Sequence, residues 1–127
     1  MKTLCNDEGI TLIELLVTII LLAVGMLGMS ALLTGITEGN AFSSELTTGT
    51  VLAQDGIETA RNTGYGGLPA GDTTLTEDYG SITGYPLYKR ETFIDADNPA
   101  TGMKSITVTV FWDSDGHSVA LRTIISQ

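Results

Sequence analysis

The sequence predicts an α+β protein: one long N-terminal α-helix, membrane-spanning in its front half, packed on a small three-stranded antiparallel sheet. Three observations carry this expectation. Residues Leu15 to Leu33 contain no charged side chain. At 1.5 Å per residue this run spans roughly 28 Å, close to the ~30 Å hydrocarbon core of a bilayer. Beyond it, apolar and small residues recur at steps of three and four as far as Ala60, the spacing of one face of an amphipathic helix. From residue 85 onward the period changes to two, with turn residues between the runs, which is the pattern of half-buried strands. A chain of 127 residues has room for one anchor and one small domain.

The first element is a short polar segment, residues 1–9, that ends at Gly9; Ile10-Thr11-Leu12-Ile13-Glu14 and the uncharged run follow. The transmembrane helix is placed at residues 10–34. An acid at the centre of a bilayer costs about 2.5–3.5 kcal/mol on insertion scales. The position of Glu14 near one end lowers that cost without explaining the residue, so something should use this carboxylate. A secretory signal needs a basic start, a short apolar core and a small-residue cleavage site; here the apolar run is too long and no clean site follows it. A lipoprotein signal needs its cysteine after the apolar run, whereas Cys5 precedes it. A plain single-span anchor accounts for the length but leaves Gly9 and Glu14 as coincidences. Within the same helix Ala31, Gly35 and Gly39 form a stripe of small residues, with Gly25 and Gly28 upstream. Such stripes let membrane helices approach closely, and the same glycines loosen a helix by about 1 kcal/mol each relative to alanine.

The amphipathic continuation covers residues 35–62. Phe42, Leu46, Gly49, Ala53, Ile57 and Ala60 mark the face expected to be buried, opposite Glu38, Ser43, Glu45, Gln54, Asp55, Glu58 and Arg61. Asn62-Thr63-Gly64 reads as the helix stop, with Arg61 placed to favour the helix dipole. Residues 63–84 are rich in Gly, Thr and Asp and lack periodicity, which predicts an exposed connecting loop. The antiparallel meander occupies residues 85–127. Tyr85–Ile94 is its first strand and Met103–Trp112 its second. After an Asp113-Ser114-Asp115-Gly116 turn, His117–Ile125 returns as the third.

Composition narrows the function. Fifteen acidic residues against six basic give a net charge of −9, which lacks the electrostatic footprint of a nucleic-acid binder. Cys5 is the sole cysteine, so no disulfide can form within the chain, and the small domain is expected to hold together by packing alone. There is no cysteine nucleophile, phosphate-binding glycine loop or His/Cys cluster for zinc; His117, the one histidine, sits at a turn. Asp113 and Asp115, like Asp95 and Asp97, superficially suggest calcium. A calcium site needs six to eight oxygens, and neither run supplies a completed loop, so turn chemistry is the reading. The chain is expected to be no enzyme and to need no cofactor or metal.

Gly9, the Thr11-Leu12-Ile13-Glu14 sequence and the long apolar helix after it resemble the class III signal of type IV prepilins and type II secretion pseudopilins. The resemblance implies cleavage by a prepilin peptidase between Gly9 and Ile10, N-methylation of Ile10, and a type IV pilin-like ladle fold. Removal of residues 1–9 would leave 118 residues with a net charge of −8, because Lys2, Asp7 and Glu8 depart. It further implies that Glu14 pairs with the α-amino group of a neighbouring subunit, so that neither charge is buried alone. Two departures stand out: the residue after the cut is Ile10 where phenylalanine is usual, and the leader is acidic where it is usually basic. The close of the chain, Ile106-Thr-Val-Thr-Val-Phe-Trp112, the turn, then Val119-Ala-Leu-Arg-Thr-Ile-Ile125, is similar to that of pilus-modification minor pilins and I-type minor pseudopilins. These likenesses cover the first 35 and last 25 residues. They imply a minor pilin that sits at or near a filament tip. Its implied partners are other pilin or pseudopilin subunits, the prepilin peptidase, an inner-membrane assembly platform and the lipid bilayer. Its implied location is the bacterial inner membrane, with the leader cytoplasmic and the C-terminal domain periplasmic, and then the filament. A minor pseudopilin of a type II secretion system is the alternative within the superfamily. A major pilin and a non-filament anchor or sensor are the others, and an exposed loop could serve adhesion.

Overall fold

A computed structural model describes residues 10–127; Gly9 and the leader lie outside the described residues. The chain divides into two compact units, Met1–Asn40 and Ala41–Gln127. A single helix, α1, runs from Leu12 to Gly67, through a sequence with no proline before Pro69.

In the first unit every described side chain is exposed, including the whole apolar run. Its few hydroxyls are satisfied within the helix: Thr18, Ser30 and Thr34 donate to the carbonyls of Glu14, Met26 and Ser30 at 2.7–3.1 Å. Closing backbone and hydroxyl bonds within the helix is the condition for a lipid-exposed span, and the uncharged run from Leu15 to Leu33 meets it.

The second unit is the folded head. Its sheet has four strands rather than the three expected: β1 (Thr73–Glu77), β2 (Lys89–Ala96), β3 (Met103–Trp112) and β4 (His117–Ser126), in the order β1-β2-β3-β4 with every pairing antiparallel. The extra strand lies inside the segment expected to be loop. Its sequence, Thr-Thr-Leu-Thr-Glu, holds one apolar side chain, and Leu75 remains 50% exposed. Pairing with β2 therefore holds β1 in place, with little burial of its own. β2 also begins four residues later than expected, because residues 85–88 form turns, with the Tyr88 amide donating to the carbonyl of Tyr85.

Ile94, Ile106, Val108 and Val110 are fully buried against the helix. The register Ile94↔Ile106 and Val110↔Val119 stacks them in one layer, each buried aliphatic side chain contributing roughly 1.5–3 kcal/mol. The helix meets this layer with Gly49, Leu52, Ala53, Gly56 and Ala60. Gly49, Ala53 and Ala60 belong to the face expected from the sequence, Leu52 and Gly56 extend it, and Phe42 and Leu46 stay 43% and 38% exposed. The reason is steric. A Cβ on Gly56 would lie 2.9 Å from Val108 Cγ1 and 3.2 Å from Arg90 Cδ, and one on Gly49 would lie 3.1 Å from the Trp112 ring. The helix approaches the sheet along its glycines, and Phe42 instead joins an aromatic group with Trp112 and His117, at 6.4 and 5.2 Å between ring centroids.

Two buried cations fasten the head in addition to packing. Arg90 on β2 donates from Nε to Glu77 on β1 and from Nη1 to Asp55 at 2.8 Å and the carbonyl of Leu52 at 3.0 Å, both on α1. Lys104 on β3 donates to the carbonyls of Tyr65 and Leu68 at 2.8 and 2.9 Å, with its ammonium 4.3 Å from the centroid of the Tyr65 ring. α1 has no basic residue in its last turn, so Lys104 supplies from the sheet the positive charge that a helix C-terminus favours. Gly64 (φ 70°, ψ 168°) leaves helical geometry at the expected stop, and helical turns resume to Gly67.

Candidate functional site

The candidate site begins at Ile10, which is exposed and precedes the first helical residue. Thr11 caps the helix: its hydroxyl accepts the amide of Glu14 at 3.3 Å, and its carbonyl accepts the amide of Leu15 at 3.1 Å. Thr11-Leu-Ile-Glu14 therefore has the Thr-x-x-Glu spacing of a capping box, with Glu14 at the third helical position. An acid there also benefits from the positive end of the helix dipole. This local role was readable from the spacing alone and is absent from the sequence-based account of Glu14. It does not consume the carboxylate, which is exposed and has no partner among the described residues. One side chain can thus start the helix and still present a charge outward.

Ala31, Gly35 and Gly39 lie on the exposed helix of the first unit. A Cβ at Gly25, Gly28, Gly35 or Gly39 would meet no atom within 4 Å beyond the helix's own backbone, the opposite of Gly49 and Gly56 in the head. A Cβ at either head glycine would meet the sheet, whereas one on the stripe glycines would meet open space among the described residues. α1 is the one helix among the described residues long and apolar enough to cross a membrane, and the 18-residue window that qualifies is 0% buried.

In the head, Asp113 and Asp115 do not converge. Asp113, Ser114 and Asp115 all take positive φ (53°, 54° and 68°) in the turn between β3 and β4. Asp115 is bound by Lys89 at 2.9 Å and by the hydroxyl of Tyr79 at 2.9 Å, and its amide donates back to that hydroxyl at 3.0 Å. The Lys89 and Tyr79 hydrogen bonds hold the Asp115 carboxyl below its ordinary value, and the same Asp115 bond raises Lys89. Asp113 stands 3.9 Å from His117. Among the described residues no three His, Cys, Asp or Glu side chains are grouped to hold a metal.

Beside this turn an open groove of about 680 Å³ is bordered by Glu45, Tyr79, Tyr88, Trp112, Asp113 and His117. The buried indole Nε1–H of Trp112 has no acceptor among the described residues. Nothing in the sequence-based account anticipates the groove, because it gathers residues from α1, the loop after β1 and the β3–β4 turn.

A family model for the prokaryotic N-terminal methylation motif matches residues 4–30. The match spans Gly9, Ile10 and Glu14 and supports the type IV prepilin and pseudopilin superfamily. No curated protein and no solved structure matches the chain.

Proposed function

We propose that this chain is a minor pilin of a type IV pilus, cleaved after Gly9, N-methylated on Ile10, and incorporated at or near the filament tip to initiate or modify assembly. The observation that carries the reading is the methylation motif matched at residues 4–30 together with a helix from Leu12 onward whose apolar side chains find no burial within their own unit. Such a helix needs lipid before assembly and neighbouring helices after it. Apolar contact gains little when the alternative is lipid, so specificity falls to the polar and small groups. Glu14, held at the helix start by the Thr11 cap, pairs with the α-amino group of a neighbour's Ile10. Ala31, Gly35 and Gly39 let the helices close on one another. The short head without a disulfide fits a minor role, and it fits equally a minor pseudopilin of a type II secretion system, the second reading.

The test is the intact mass and N-terminal sequence of the protein from native membranes. A chain that begins at methylated Ile10 supports processing. A chain that still begins at Met1 in cells with an active prepilin peptidase overturns it in favour of a plain anchor. Abundance in sheared fibres then separates a minor from a major subunit, and loss of protein export rather than of pili in a deletion strain identifies the pseudopilin.

A further inference from the structure

We infer that the groove between Glu45 and the β3–β4 turn docks a basic side chain, arginine or lysine, presented by a protein other than this one. Its border carries two carboxylates, Glu45 and Asp113, and no lysine or arginine. Neither carboxylate has a lysine or arginine partner among the described residues; His117 Nε2 stands 3.9 Å from Asp113. The rest of the wall is mainly aromatic and apolar, from Tyr79, Tyr88, Trp112 and His117 with Pro86 and Leu87, and Ser114 adds one hydroxyl. Aromatic faces and carboxylates together suit a cation on an apolar stem: the charge meets the acids while the stem and the π-faces pack. An anion or an acidic peptide would meet like charge.

Among the described residues, a second copy offers no lysine or arginine without a bond already made inside its own head. All five basic residues among those described are already donors within the head. Arg61 bonds Thr123, Lys89 bonds Asp115, Arg90 bonds Glu77 and Asp55, Lys104 bonds the carbonyls of Tyr65 and Leu68, and Arg122 bonds Ser105. With a net charge of −9, two copies repel, and the complement has to come from a different and more basic chain. The groove is also built to stay open. The bonds from Tyr79 and Lys89 to Asp115 fix the turn at one end, and the Tyr88 hydroxyl donates to the Glu45 carbonyl at 3.3 Å on the helix side. This chemistry stands whether or not the chain enters a filament.

Trp112 is the single tryptophan, so its indole N–H signal reports on the groove. The experiment is an NMR titration of the full chain in zwitterionic micelles with the peptide acetyl-Gly-Arg-Gly-amide, and with the same peptide carrying citrulline in place of arginine. The expected result is a saturable shift of the Trp112 indole signal by the arginine peptide, weakened by added salt, with little response to citrulline. The variant Glu45→Gln/Asp113→Asn, which keeps side-chain volume, should weaken binding by roughly tenfold, with the other head resonances in place. An equal response to citrulline, an unchanged response in the variant, or no response at all overturns the proposal. A response to maltotriose instead of the arginine peptide overturns it in favour of a carbohydrate site. Tight self-association of the head that Glu45→Gln/Asp113→Asn abolishes would overturn the assignment to a different chain.

Discussion

Arg90 offers the sharpest test of what holds the head together without a disulfide. Its guanidinium ties β1 to α1 through three acceptors, but these are unequal. The side chains of Asp55 and Glu77 are 66% and 45% exposed, against 11% for Arg90. Ion pairs with partners that wet contribute about 0.2–1 kcal/mol each. The bond to the Leu52 carbonyl is buried, and a charged donor on a buried acceptor is worth about 1.5–3 kcal/mol. Methionine at this position keeps the stem that packs beside Gly56 and spares the cost of desolvating the guanidinium. Arg90→Met should therefore cost about 2 kcal/mol, and Asp55→Asn or Glu77→Gln about 0.5 kcal/mol each. Arg90→Lys should recover only part of the loss, because a point charge cannot span the three acceptors that the fork reaches. Urea unfolding of the full chain in mild detergent, followed by the near-ultraviolet signal of Trp112, measures each variant. A loss of 2 kcal/mol lowers the midpoint by roughly 1 M. If Glu77→Gln costs as much as Arg90→Met, the energy lies in the surface pair and the reasoning from exposure fails.

Four further outcomes follow from the same contacts. Lys104→Met should leave the Tyr65 and Leu68 carbonyls unpaired, cost about 2–3 kcal/mol, and speed amide exchange in the last turns of α1 while the β2–β3 pairing stays protected. Gly56→Ala should destabilise the head by about 1 kcal/mol net, since the overpacking against Val108 costs 1–3 kcal/mol and better helix propensity returns about 1; Gly35→Ala, with open space around it, should leave head unfolding unchanged. The Asp115 carboxyl is lowered from 3.8, so its latch on Tyr79 and Lys89 is fully present above that pH and is lost as the pH falls through the lower folded value. Acid titration should therefore release the Asp115 amide from Tyr79, and Asp115→Asn should remove that acid transition. Glu14→Ala should yield a processed, membrane-held protein that is not incorporated; normal incorporation measured in sheared filaments would sink the charge-pair mechanism.

The parts of the fold legible in the sequence are those set by local periodicity. The helix, β3 and β4 and the turn at residues 113–116 follow from steps of three and four, from alternation, and from Asp and Gly placement. β1 was not legible, because Thr73–Glu77 has one apolar residue and gains its order from β2, far along the chain. The buried face of the helix is legible at Gly49, Ala53 and Ala60 but not at Leu52 and Gly56, while Phe42 and Leu46 stay exposed. Hydropathy assigns weight to Phe42 and Leu46 and none to Gly56, yet close approach selects the residue with no side chain. Lys104 and Arg90 likewise look like surface charges until topology places them over the helix. At the candidate site the reverse occurred: Thr11 and Glu14 were in plain view as a capping pair, and the membrane argument drew attention to the acid alone.

The two glycine sets separate the chain's energetics into a part it satisfies itself and a part it cannot. Gly49 and Gly56 are occupied by Trp112, Val119, Val108 and Arg90, so substitutions there are read in the folding of a single chain. A Cβ at Gly35 would meet open space, and the Glu14 carboxylate has no partner among the described residues, so changes at these two positions disturb no contact described within their own unit. Sites with no shared partners add in free energy to within a few tenths of a kcal/mol. Head variants should then shift unfolding without altering membrane retention, and Glu14 or stripe variants should alter assembly without shifting unfolding. A double variant such as Glu14→Ala with Arg90→Met should unfold as Arg90→Met does alone. Coupling between them in dilute micelles would mean that the helix start draws stability from the head by a route that the contacts within each unit do not contain.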